Sequence, residues 1–213
     1  MTKALYLEDA YLKEFQATVE SLKDGKDAVL NQTAFYPQGG GQPFDTGKWI
    51  RLSDRKEFNV VSVGKLNGVI SHEIKGDGLK AGDRIEGLID WQRRYKLMRS
   101  HTAAHILSEV FHQEARALIT GNQLDIDQSR IDFSLENFDK EKINEYIEKA
   151  NRIAQQDLSV RAYFVSKEEA EKIQQLSKLA VGLPKNIKNI RIVEIGDFDK
   201  QADGGTHVKS TKE

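Results

Sequence analysis

Two histidines four residues apart give the sharpest chemical signal in the 213-residue chain: His101 and His105, in Arg99-Ser100-His101-Thr102-Ala103-Ala104-His105. On a helix this spacing places both imidazoles on one face about one turn apart, so that two ring nitrogens can reach one cation. A third histidine, His207, follows Asp203-Gly204-Gly205-Thr206, where glycines let the backbone fold tightly around something small. The chain has no cysteine, which excludes disulfides, thiolate catalysis and Cys-based zinc fingers, and any metal must be held by His, Asp or Glu. His112 lies on nearly the same face as His105 but ~10 Å further along the axis, out of reach of a shared ion. His72, alone in a β-patterned region, reads as structural or exposed.

A second constellation runs from Thr33 to Gly47. Its three consecutive glycines, Gly39, Gly40 and Gly41, lie between Pro37 and Pro43, and Gln42 adds a donor and an acceptor. Such a loop suits a close approach to a ligand, and equally a long surface excursion. It lacks the Lys-Ser/Thr of a P-loop, which argues against binding a nucleoside triphosphate. The helix motif lacks the Glu of H-E-x-x-H, which argues against a peptidase.

The elements that must position these residues fall into two grammars. To about residue 89 short apolar segments alternate with turn signals: Val29-Leu30 after Lys23-Asp24-Gly25-Lys26, Val60-Val61-Ser62-Val63 before Gly64, Gly68-Val69-Ile70 before Gly76-Asp77-Gly78, and an alternating Ala81–Asp90. This predicts a small β-barrel-like or sandwich domain over 1–89. From Trp91 to about Glu114 there is no Gly or Pro, and Leu97, Ala104, Leu107 and Phe111 recur at helical steps.

Beyond that helix the pattern predicts a strand at Arg130–Leu135 and a helix from Asp139 to Gln156 with Ile143, Ile147, Ala150 and Ile153 on its buried stripe. A strand at Ser159–Val165 follows, then a helix capped by Ser166 and Glu169 running through Leu176, and a strand at Ile190–Ile195. The fold class is α+β, with residues 90–213 placing helices on a mainly antiparallel sheet.

Lys and Arg number 32 against 33 Asp and Glu, so the whole molecule exerts no global pull on nucleic acid and any such contact must be local. Arg93, Arg94, Lys96 and Arg99 form one basic group, and Lys185, Lys188 and Arg191 another. No apolar run approaches the ~18 residues of a membrane span, and the N-terminus lacks the apolar stretch of a secretory signal. A soluble cytoplasmic protein is expected.

Three motifs in this order, the Phe35–Pro43 loop, Arg99–His105 and Asp203-Gly204-Gly205-Thr206-His207-Val208, resemble the editing domain of alanyl-tRNA synthetase. The length accommodates no aminoacylation domain, so the resemblance is to the free-standing trans-editing deacylases, the AlaX family in its medium-sized form with an N-terminal β-domain. It implies an ATP-independent hydrolase using Zn2+ to cleave the ester joining a wrong amino acid, chiefly serine and also glycine, to the acceptor end of tRNA(Ala). The family's usual zinc pattern, H-x-x-x-H followed by C-x-x-x-H, maps onto His101, His105, Asp203 and His207. Asp203 replaces the cysteine, and it either ligates or stands aside to orient water.

Thr120 matches a threonine to which the family assigns recognition of the serine hydroxyl, with Thr33, Gly39, Gly40, Gly41 and Gln42 as further substrate-contact candidates. Rejecting alanine needs polar partners that its methyl leaves unpaired. The group Arg93, Arg94, Lys96 and Arg99 is assigned to acceptor-stem phosphates. A different class of function, a non-catalytic zinc-stabilised RNA-binding module, would close the ion with Asp203 as fourth ligand.

Overall fold

The computed structural model describes residues 2–137, 139–173 and 189–213. The architecture is mixed α+β, in two compact units, Met1–Leu97 and Met98–Glu213. Among the described residues no helix is long and apolar enough to cross a membrane.

The first unit contains β1 (Lys3–Ala4), β2 (Glu14–Lys23), β3 (Asp27–Leu30), β4 (Gln32–Thr33), β5 (Gly47–Arg51), β6 (Glu57–Leu66), β7 (Val69–Lys75) and β8 (Arg84–Ile89). Six of them close into an antiparallel barrel in the order β2-β3-β7-β6-β5-β8. Strand alternation fills it: Phe15, Ala17 and Val19 of β2 are buried while Glu14, Gln16 and Glu20 face solvent. In β6 a register shift between Val60 and Ser62 resets the phase, so that Val60 and Val63 both lie inside although three residues apart. Trp49, Phe35, Phe58 and Ile85 complete the core.

His72 is buried in this core, its Nε2 2.9 Å from Thr33 Oγ1 and its Nδ1 3.3 Å from the Ala28 carbonyl. Burial pushes its pKa down to about 4, against a smaller upward pull from the Ala28 hydrogen bond. Between pH 6.5 and 4 the unfolded chain therefore binds a proton that the folded chain refuses, and stability falls as the pH drops through that window. A His72→Gln substitution is expected to flatten the acid loss by up to ~1.4 kcal/mol per pH unit, read from chemical denaturation across the window. Superimposable pH profiles for the two chains would contradict this.

Between β4 and β5 the glycine loop is fastened at its base. Tyr36 N–H donates to Asp45 Oδ2 at 2.6 Å, and Asp45 N–H to the Tyr36 carbonyl at 3.0 Å. At the tip, Gly39 and Gln42 exchange backbone hydrogen bonds across Gly40 and Gly41, whose φ values of 58° and 84° need glycine. Arg94 closes the base: its guanidinium pairs with Asp45, both side chains fully buried, and donates to the carbonyls of Ala34 at 2.6 Å and Ala10 at 2.9 Å. Arg94 is therefore corrected from a phosphate-facing residue to an internal clamp, because a guanidinium enclosed by a carboxylate and two carbonyls presents no charge to solvent.

The helix α1 (Trp91–Ala115) leads into β9 (Ile119–Gln123), β10 (Arg130–Phe133), α2 (Lys140–Ala154), β11 (Val160–Ser166), α3 (Lys167–Glu171), β12 (Asn189–Ile195) and β13 (Asp199–Ala202). Strands β11, β12 and β13 form one antiparallel sheet. On one face Val160, Val193 and Ile195 pack against Ile106 and Val110 of α1 and Ala150 of α2; on the other Ile190 and Ile192 pack against Ala170 of α3.

Two sequence expectations need correction here. The stripe of α2 runs through Tyr146, Ala150 and Ile153, and Ile147 is exposed, because the sheet lies on the tyrosine side of the helix. The helix opened by the Ser166–Glu169 capping box ends at Glu171 with Lys172 as its cap; Leu176 lies outside the described residues.

Candidate metal centre

Helix α1 carries His101 and His105 on one face, and the loop leaving β13 carries Asp203 and His207. One ligand atom from each of the four lies within 4.8 Å of those of the others. His207 Nε2 is 3.0 Å from Asp203 Oδ1, and His101 Nε2 is 3.5 Å from Asp203 Oδ2. All three histidines are buried.

The loop reaches this position because its backbone is held at several points. Asp203 Oδ1 accepts from Gly205 N–H at 2.6 Å, and Arg191 Nη1 donates to the carbonyls of Asp203 at 3.0 Å and Gly205 at 2.9 Å. A Cβ on Gly205 would collide with the His101 ring at Cε1 and Nδ1, so the close approach of loop to helix requires glycine there. Arg191 is thus a scaffold of the cluster; Lys185 and Lys188, grouped with it in the sequence, lie outside the described residues.

The protonation states suit a cation. Burial pushes His101 well below its ordinary value and His207 down to about 4, in each case outweighing the upward pull of Asp203, so both imidazoles are neutral with a lone pair to offer. Burial works against ionisation of Asp203, and the surrounding histidines outweigh it, holding its carboxyl well below the usual range. Thr102 Oγ1 lies 3.2 Å from His207 Nδ1 and His105 Nδ1 lies 3.1 Å from Asp199 Oδ2, which leaves Nε2 of each ring for the cluster. Three imidazoles and one carboxylate are a donor set that fits zinc.

Two polar residues behind the cluster, Asp199 and Gln201, escaped the sequence reading. A signal was present in the alternation of Asp199 and Gln201 just after an apolar strand, both of which are buried.

Thr120 is exposed in β9. Ile119 pairs with Phe133 and Gly121 with Asp132, so Thr120 is the extra residue of a bulge, a device that re-aims side chains. In the first unit the Thr33 hydroxyl is buried against His72 and accepts from Phe35 N–H at 3.1 Å, while Gln42 is buried at the end of the glycine turn. Of the basic group, Lys96 and Arg99 are exposed, and Arg93 is half-buried with its guanidinium on the Phe44 carbonyl at 3.2 Å.

Residues 4–93 match the family described as tRNA synthetases class II (A), and residues 190–213 match the threonyl and alanyl tRNA synthetase second additional domain. A curated protein of Methanosarcina barkeri, named alanyl-tRNA editing protein AlaX-M, is 56% identical over 100% of this chain and 90% of its own length. The AlaX-M protein of Saccharolobus solfataricus is 43% identical over 100% and 89%. An alanine–tRNA ligase of Pyrococcus abyssi is 39% identical over 99% of this chain, which spans 23% of that enzyme.

Proposed function

The chain belongs to the alanyl-tRNA editing protein AlaX-M family, and from that premise we propose that it deacylates mischarged tRNA(Ala), chiefly seryl-tRNA(Ala) and also glycyl-tRNA(Ala), with Zn2+ as cofactor. The observation that carries this reading is the convergence of His101, His105, His207 and Asp203 on one buried point. These residues would hold the ion, which supplies Lewis acidity for ester hydrolysis.

The chain's own groups have definable tasks. The imidazoles of His101 and His207, kept neutral by burial, present lone pairs without first having to lose a proton, and His105 turns Nδ1 to Asp199 and so has Nε2 for the cluster. Asp203 keeps Oδ1 on the Gly205 amide and offers Oδ2 toward His101, so one carboxylate both shapes the loop and places negative charge at the cluster. In this reading it is a ligand or the group that orients water. Lys96 and Arg99, exposed at the start of α1, are the assigned acceptor-stem contacts, and Arg93 a weaker one. Residues 1–89 form the β-domain with the glycine loop, where Gly39, Gly40, Gly41, Gln42 and Thr33 are assigned to the substrate side, and 90–213 form the editing domain. The protein works in the cytoplasm, where charged tRNA is used.

Serine discrimination is assigned to Thr120. A Thr120→Val substitution keeps the shape and removes the polar partner, so serine loses ~0.5–1.5 kcal/mol, up to about tenfold in rate. Alanine, which never made the bond, is expected to be released at least as fast as before. The test is release of serine from seryl-tRNA(Ala) alongside alanine from alanyl-tRNA(Ala). The wild-type chain should favour serine strongly, and Thr120→Val should narrow the ratio. Equal losses on both substrates would remove Thr120 from specificity, and serine release no faster than without protein would overturn the function.

A further inference from the structure

The His105 ring has a partner on its far side that is part of no ligand set. Asp199, at the first position of β13 and 1% exposed, places Oδ2 3.1 Å from His105 Nδ1. Its two oxygens also accept from Gln201 Nε2, at 3.2 and 3.1 Å. Gln201 Nε2 lies 3.4 Å from Ser108 Oγ, and the Ser108 hydroxyl donates to the His105 carbonyl at 3.0 Å. The four residues close a ring of polar contacts that starts at the imidazole of His105 and returns to its backbone. Every member is buried.

Three facts make this arrangement directional. An ionised carboxylate is acceptor-only, so its contact with His105 requires the proton on Nδ1, and the neutral ring then has its Nε2 lone pair for the cluster. The amide of Gln201 donates to both oxygens of the carboxylate, which fixes that carboxylate's plane, and also to Ser108 Oγ. Asp199 also lies four residues before Asp203 on the same chain segment, so β13 delivers both the group behind the cluster and the group within it. Burying a carboxylate is expensive unless it is hydrogen-bonded and charge-compensated, and a cation on the other side of the ring would supply that compensation.

We infer that Asp199 is the positioning residue of the metal centre: held by Gln201, it sets the His105 tautomer and ring orientation and raises the basicity of Nε2 toward the ion. This rests on the reading of His101, His105, His207 and Asp203 as a metal site. It adds a residue that touches neither substrate nor ion and acts through His105.

Two measurements on the full chain decide it. In the metal-free protein at pH 8, two-bond 15N–1H correlations of the histidine rings report which nitrogen of His105 carries the proton. A proton on Nδ1 is expected, and its absence there overturns the inference whatever any variant does. The second measurement is Co2+ affinity, by competition with a chromophoric chelator, with the d–d absorption band as the signature of coordination. Asp199→Asn keeps the side-chain volume and should weaken Co2+ binding by about 10–100-fold with an altered band, and Gln201→Leu should weaken it several-fold.

A carboxylate with a merely structural role would lower the unfolding temperature of the metal-free chain and leave the affinity and band of the folded protein unchanged, which would sink the proposal. If the wild-type chain takes up no Co2+, the metal reading fails, and the tautomer measurement still decides whether Asp199 orients His105.

Discussion

Replacing Arg94 with methionine is expected to destabilise the protein by about 3–5 kcal/mol, because it removes one partner of a fully buried ion pair and strands the other. Asp45 would keep only neutral donors such as the Tyr36 amide, and the carbonyls of Ala34 and Ala10 would lose theirs. For a chain of this size the loss corresponds to a fall in Tm of about 6–20 °C. The double variant Arg94→Met with Asp45→Asn removes the stranded charge, so it should be more stable than the single Arg94 variant. Strict additivity of the two single effects would show that the pair is not coupled. The consequence extends to the glycine loop, since the same carboxylate ties Tyr36 to the loop's other end.

His105→Ala is the second large effect. It deletes one of the four side chains that converge at the proposed zinc site together with the ring that Asp199 touches, so the loss of zinc affinity should exceed the ~10–100-fold typical of residues that support a ligand from behind. Equilibrium dialysis against buffered Zn2+ measures it, with His112→Ala as control, since His112 is half-buried and outside the cluster. Unchanged affinity in His105→Ala would remove this residue from the ligand set.

How much of this was legible before the structure depended on whether a pattern was local. His101 and His105 are joined by helical spacing, and the turn before His207 by its glycines. The barrel segments with Gly-Asp punctuation were visible, and so was the long Gly-free helix. Interactions across long sequence separations were not. Arg94 and Asp45 lie 49 residues apart, and a run of basic residues reads as a solvated face until one member finds a carboxylate.

Strand β13 is short and points polar Asp199 and Gln201 inward, so it lacks the apolar alternation that marks a strand. Strand β2 does alternate, through Phe15, Ala17 and Val19, but its flanking turn signals fall only on one side. The bulge at Thr120 is likewise a product of pairing with β10, since nothing within Ile119–Gln123 alone specifies two residues opposite one.

Zinc-dependent editing is tested by serine release from seryl-tRNA(Ala) by the purified chain before chelation, after dialysis against a chelator, and after adding back one equivalent of Zn2+. Lewis-acid assistance is worth several kcal/mol, or about two to three decades of rate at ~1.4 kcal/mol per decade. The rate should therefore collapse by that much in the chelated protein and return with one zinc ion per chain, while the fold measured by circular dichroism is retained. A chelated chain, shown by elemental analysis to be metal-free, that still releases serine at the original rate would contradict the account.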